Sequence, residues 1–137
     1  MANALYDSGR NAFARGDILW KASGGSTIKA VLVDAADYTV NLTTHDNLDD
    51  IPSGARVATG TLALSDPSAG ICDASDLTFT SVTGDPSEAI ILYKDTGVES
   101  TSTLIAYIDS ATGLPVTPNG GNISVAWDNG TNKIFKL

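Results

Sequence analysis

His45 is the only histidine in the chain, and Asp46 follows it directly. An imidazole beside a carboxylate is part of a nucleophilic relay, but that chemistry also needs an activated nucleophile held against the ring. No Gly-x-Ser-x-Gly elbow is present to provide one. His45 is therefore expected to be structural, and no catalytic residue is assigned. Asp46, Asn47, Asp49 and Asp50 place oxygen-bearing side chains close together. Such oxygens suit Ca²⁺, yet the EF-hand pattern needs a central glycine and a distal glutamate, both missing here. Capping of a turn is the expected role, and no metal site is assigned. A glycosidase pair of carboxylates is defined by its separation in space, and its acid is tuned by an apolar pocket. The acids of this chain stand instead in turn-like stretches, so the protein is not read as an enzyme.

The remaining reactive types have structural readings. Cys72 is the single cysteine, which excludes an intrachain disulfide and a four-thiolate zinc site. With no histidine or basic residue beside it, it is expected to act as a small hydrophobe. Trp20, Tyr107 and Trp127 would make a sugar-stacking platform if exposed, but at strand spacing they are expected in the core. Gly24-Gly25 and Gly120-Gly121 lack the following Lys-Ser/Thr of a phosphate loop. No cofactor is expected.

The elements that position these residues read as β-structure. Two apolar runs, Ala89–Tyr93 and Leu104–Ile108, flank a polar segment containing Gly97 and read as an antiparallel hairpin. Alternation puts Ala89, Ile91 and Tyr93 on one face and Ile90 and Leu92 on the other. Both faces are apolar, which places the hairpin inside the molecule. Further strands are expected over Thr27–Asp34, Tyr38–Leu42, Arg56–Leu64 (with a bulge at Gly60), Leu77–Val82, Asn122–Trp127 and Thr131–Leu137. Asn129-Gly130 is the strongest turn signal and predicts that the last two strands pair as a hairpin. His45–Ile51 reads as one helical turn or a compact loop, ended by Pro52-Ser53-Gly54. Ser110–Gly121, rich in proline and glycine, reads as a loop.

Ala2–Arg15 is the expected helix, with Leu5, Ala12 and Phe13 on one stripe, Asn3 as its cap and Gly16 as its stop. Residues 1–20 are read as a helical arm that either docks on a partner or covers one end of the β-core. The expected fold is mainly β: one domain over 1–137, an antiparallel sandwich or small barrel of about seven or eight short strands with one N-terminal helix.

With 137 residues, 42% of them hydrophobic, the chain is long enough for a real core. Sixteen acids, fourteen of them Asp, oppose eight cations for a net charge of −8. Aspartate favours turns and caps. An acidic surface repels phosphates, so nucleic acid is not an expected partner. No apolar stretch is long enough for a membrane span, and the first residues lack the pattern of a secretory leader.

Four segments carry a resemblance in their order and spacing: KAVLV (Lys29–Val33), THDNLDDI (Thr44–Ile51), LYKDTG (Leu92–Gly97) and GNISVAW (Gly121–Trp127). Together they resemble a group of small phage virion structural proteins. The resemblance implies a capsid decoration or cement protein on the outside of the head, made in the bacterial host cytoplasm. Its implied partners are the major capsid protein and copies of itself, as a dimer or trimer. A tail, neck or head–tail connector component and a glycan-binding β-module are the alternative readings.

Overall fold

An uninterrupted apolar strand needs cover on both faces, and the central hairpin has it. A computed structural model describes residues 3–137, with nine strands, one α-helix and three short 3-10 turns. In chain order these are β1 (Ala4–Leu5), α1 (Asp7–Arg15), β2 (Ile28–Val33), β3 (Arg56–Thr61), β4 (Ile71–Cys72), β5 (Leu77–Phe79), β6 (Ala89–Lys94), β7 (Leu104–Ile108), β8 (Ile123–Val125) and β9 (Phe135–Lys136). One antiparallel sheet has the order β1-β7-β6-β2-β3, and β4–β9 and β5–β8 form two separate ribbons. The fold is mainly β and sandwich-like, with no closed barrel among the described residues. No helix of these residues is long and apolar enough to cross a membrane.

All five side chains from Ala89 to Tyr93 are buried. Ile90 and Leu92 join Ile28, Ala30 and Leu32 beneath Cys72, Phe79, Ile123, Val125 and Phe135 of the two ribbons. Ala89, Ile91 and Tyr93 join Val31 and Val33 on the opposite face, under Tyr6, Tyr38, Leu48 and Ile51. The alternation expected for β6 is the alternation observed.

A bulge in β7 sets where the helix sits. Leu92 pairs with Ala106 and Tyr93 with Leu104, so Ile105 is the extra residue. Ile105 and Ala106 consequently belong to one core cluster, while Leu104 and Tyr107 belong to the other. The helix α1 comes down on this bulge. A Cβ built on Gly9 would stand 2.8 Å from Ile105 Cα and 2.9 Å from the carbonyl oxygens of Leu104 and Ile105. Glycine weakens a helix by about 1 kcal/mol relative to alanine, but here it permits the approach. Ser8 Oγ also donates to the Leu104 carbonyl at 3.1 Å.

Several expected boundaries move. The helix begins at Asp7, not at Ala2, which lies outside the described residues; Ala4 and Leu5 instead pair with Tyr107 and Ala106. The exposed edge of β7 captures them, and Asn3 caps no helix but accepts the Asp109 N–H through Oδ1 at 2.9 Å. Gly16 stops the helix in a left-handed conformation (φ 80°), as its position predicts. Residues 3–20 are built into the domain, since Ile18 and Trp20 are buried in the core beside Ala12. Tyr38–Leu42 is not a strand. Its alternating residues press on the core from a loop, because β2 is already flanked by β3 and β6.

The irregularity in β3 falls at Val57, between the pairs Leu32–Ala58 and Val33–Arg56, rather than at Gly60. Gly60 makes room for Leu77, whose Cδ1 would lie 3.1 Å from an added Cβ. The Asn129-Gly130 hairpin does not form, for β8 pairs with β5 and β9 with β4. Asp128 Oδ1 accepts the Gly130 N–H at 3.0 Å, and the left-handed residue of this loop is Lys133 (φ 50°). The two-residue strands β1 and β4 were not expected from the pattern of the sequence.

Gly9→Ala is expected to destabilise the protein by about 1–3 kcal/mol, because overpacking against β7 outweighs the gain in helix propensity. Gly54→Ala, with nothing within 4 Å of an added Cβ, should stay within about 0.5 kcal/mol of the parent. Urea unfolding monitored by tryptophan fluorescence measures both.

Candidate functional site

His45 is half-buried and turned toward the core. Its Nδ1 lies 2.8 Å from the Tyr38 hydroxyl, which lies 2.9 Å from the Tyr6 hydroxyl. With the imidazole neutral and protonated on Nε2, Tyr6 donates to Tyr38 and Tyr38 donates to His45. The rings of Tyr38 and His45 also pack at 5.3 Å between centroids. Asp46 does not complete a dyad with His45, since its Oδ1 accepts from Asn47 Nδ2 at 3.0 Å. The imidazole thus anchors a loop to two tyrosines.

The acidic stretch behaves as a cap. Asn47 and Asp50 form a capping box around the 3-10 turn Leu48–Asp50. Asp50 Oδ2 accepts the N–H groups of Asp46 at 2.8 Å and Asn47 at 3.2 Å. Desolvation opposes its charge, but these two N–H groups, together with the neighbouring Asp46 and His45 side chains, hold the carboxyl below its ordinary value. Asp49 is exposed. Asp46 and Asn47 line an open polar hollow of about 340 Å³ with Asp7, Ser8, Asn11 and Arg15. The carboxylates that do converge are Asp34, Asp37 and Asp85, with oxygens within 4.8 Å of one another. Asp34 is buried, and its Oδ1 accepts the Ala36 N–H at 2.8 Å, closing a turn. Three carboxylates are a partial ligand set for a hard cation, which takes about six to eight oxygens as Ca²⁺.

No aromatic platform is exposed by the three candidate rings. Trp20, Tyr107 and Trp127 are all buried. The two indoles lie in one core cluster and Tyr107 in the other. Trp20 Nε1 donates to the Asp73 carbonyl and Trp127 Nε1 to the Ser75 carbonyl, each at 3.0 Å. The pair clamps the segment between β4 and β5. Cys72 is buried as well, and burial pushes its thiol up to about 11.

The surface feature that sequence reading missed is a groove joining the two ends of the described chain. One lobe, of about 390 Å³, is lined by Leu5, Phe13, Ala14 and Leu137, with Arg10 and Lys136 beside them. A second, of about 330 Å³, shares Leu5, Arg10 and Lys136 and continues past Ala4 to Lys133. Phe135, within contact of Trp20 (5.2 Å between centroids) and Phe13 (5.8 Å), lines this second lobe. Leu137, at 55% exposure, is one of three large hydrophobic residues left open among the described residues, with Leu19 and Val98. The signal available in the sequence was the placing of three scarce cations near the chain's two ends.

Tyr38→Phe removes the acceptor of the buried Tyr6 hydroxyl and should cost about 1–3 kcal/mol. Adding Tyr6→Phe should cost less than it does alone, so a double-mutant cycle in urea reads a coupling; additive losses would show that the hydroxyls do not interact. Burial raises the pKa of all four tyrosines above the ordinary value of 10.0. The unfolded chain therefore loses these protons first. The stability they contribute is complete below about pH 10 and falls as pH rises from there toward the folded values. Tyrosinate absorbance is expected to appear together with loss of circular dichroism in an alkaline titration; tyrosinate forming in the folded protein near pH 10 would refute this. No family model matches the chain, and no curated protein matches it.

Proposed function

We propose that this protein is a phage virion structural component, a decoration or cement protein that binds the outside of the assembled head. The ordered resemblance of four segments to small virion proteins supports this, and their places in the fold are consistent with it. Lys29–Val33 lies in β2, Leu92–Gly97 covers the end of β6 and its turn, and Gly121–Trp127 contains β8. Thr44–Ile51 is the capped turn, tied to the hairpin by Leu48 N–H to Ser102 O and Leu104 N–H to Asp46 O. All four hold the framework together.

The observation that carries the proposal is how the polar and aromatic side chains are used. His45 anchors to Tyr38, Asp50 caps backbone N–H groups and both indoles bind carbonyls. What these contacts hold in place is a surface. A protein of this kind works through contact area, about 1,200–2,000 Å² in a standard interface, and many copies multiply modest contacts by avidity. Its partners would be the major capsid protein and further copies of itself.

Purified parent particles should contain the chain in density on the head exterior by cryo-electron microscopy. Added protein should sediment with assembled shells, raise their melting temperature and ignore isolated coat subunits. Particles that lack the chain, or that carry it in the tail, would overturn the assignment.

A further inference from the structure

The groove between α1 and β9 differs in charge from the rest of the molecule. Among the described side chains, Arg10, Lys133 and Lys136 line it against one acidic side chain, Asp128, in a chain with twice as many acids as cations. Asp128 is engaged by the Gly130 N–H of its own turn. Arg10 pairs with Asp7 at 3.6 Å, but both side chains are at least half exposed, so the contact leaves the guanidinium available. The groove also runs along β1. β1 is the last strand of its sheet. Tyr6 gives its N–H to the Ile105 carbonyl, so by alternation the peptide groups of Leu5 point away from β7. Beside that edge lie Phe13 and Leu137, an apolar seat next to Leu5 backbone groups that pair with none of the described residues.

We propose that this groove binds an extended, acidic segment of a partner protein by strand addition along β1. Backbone groups of Leu5 pair with the incoming strand, an apolar side chain sits on Phe13 and Leu137, and carboxylates meet Arg10, Lys133 and Lys136. Charge complementarity selects the occupant: a basic strand would meet three cations, and an uncharged one would leave them without counter-charges. The inference stands on the groove itself and holds whether or not the partner is a capsid protein.

The probes are two capped, fluorescently labelled hexapeptides, one alternating valine with glutamate and one alternating valine with lysine. The acidic peptide should bind the full chain about ten-fold or more tightly than the basic one, and its affinity should fall as salt rises. Amide resonances of Ala4, Leu5, Phe135 and Lys136 should shift on binding. The exposed-site variant Arg10→Glu/Lys136→Glu, checked for an unchanged melting temperature, should lose that preference; Lys136→Glu alone is the milder variant if the pair fails to fold. Equal binding of the two peptides, shifts confined to other surfaces, or an unaltered preference in a folded variant would overturn the proposal. A dimer that forms without peptide and dissociates on Lys136→Glu would overturn it too, by giving the groove to a second copy.

Discussion

Burial of β6 on both faces is the constraint on which the rest of the structure depends. A strand whose consecutive side chains are all apolar is stable only between two covers. On one side the two ribbons bring Phe79, Ile123, Val125 and Phe135 down onto Ile90 and Leu92. On the other, Tyr6, Tyr38, Leu48 and Ile51 cover Ile91 and Tyr93. This second cover consists of loops and turns, whose backbone polar groups must be satisfied within the layer. The Asn47–Asp50 capping box and Arg56 do that work, while the Tyr6–Tyr38–His45 chain satisfies the side-chain groups of the same layer. Arg56 Nε donates to the Ile51 carbonyl at 2.9 Å, and its guanidinium also reaches the Leu48 carbonyl and Glu99.

The parts of the fold legible in the sequence are those with enough residues to show a period. β2, β6 and β7 each run five or six residues, and their expected limits lie within a residue of those observed. Ile123 and Val125 were legible as one buried face of β8, with Ser124 exposed between them. A two-residue strand has no period, so Ala4–Leu5 and Ile71–Cys72 become strands only because an edge lies ready to accept them. Tyr38–Leu42 failed for the converse reason: its alternation was genuine, but no sheet edge remained beside β2. Asn129-Gly130 is a local signal for a hairpin, and it lost to two long-range pairings that place Phe135 and Ile123 in the core.

The candidate site divides along the same line. Caps are local, so the part played by Asp50 could be read from its neighbours. The partners of His45 could not, because Tyr38 is seven residues away and Tyr6 a further 32. The indole acceptors at Asp73 and Ser75 are just as distant from Trp20 and Trp127. The groove was least legible of all, since its walls are the first and last described segments. Only folding brings Leu5 and Arg10 beside Lys136 and Leu137.

The two edges of the main sheet are treated differently, and that difference bears on how the protein meets others. β3 is packed on its face, with Leu77 of β5 lying so close over Gly60 that an added Cβ would force the leucine to shift. β1 is only two residues long, the Asp7 N–H just beyond it is already taken by the Leu42 carbonyl, and Arg10 and Lys136 stand close to it. A short edge flanked by cations resists pairing with an identical edge, because like charges would be brought together. The same features accept a strand of opposite charge. Away from the groove the acids are in excess, and at physiological salt their repulsion acts over only about 8 Å. Contacts made at the groove are therefore decided locally, by the chemistry of what enters it.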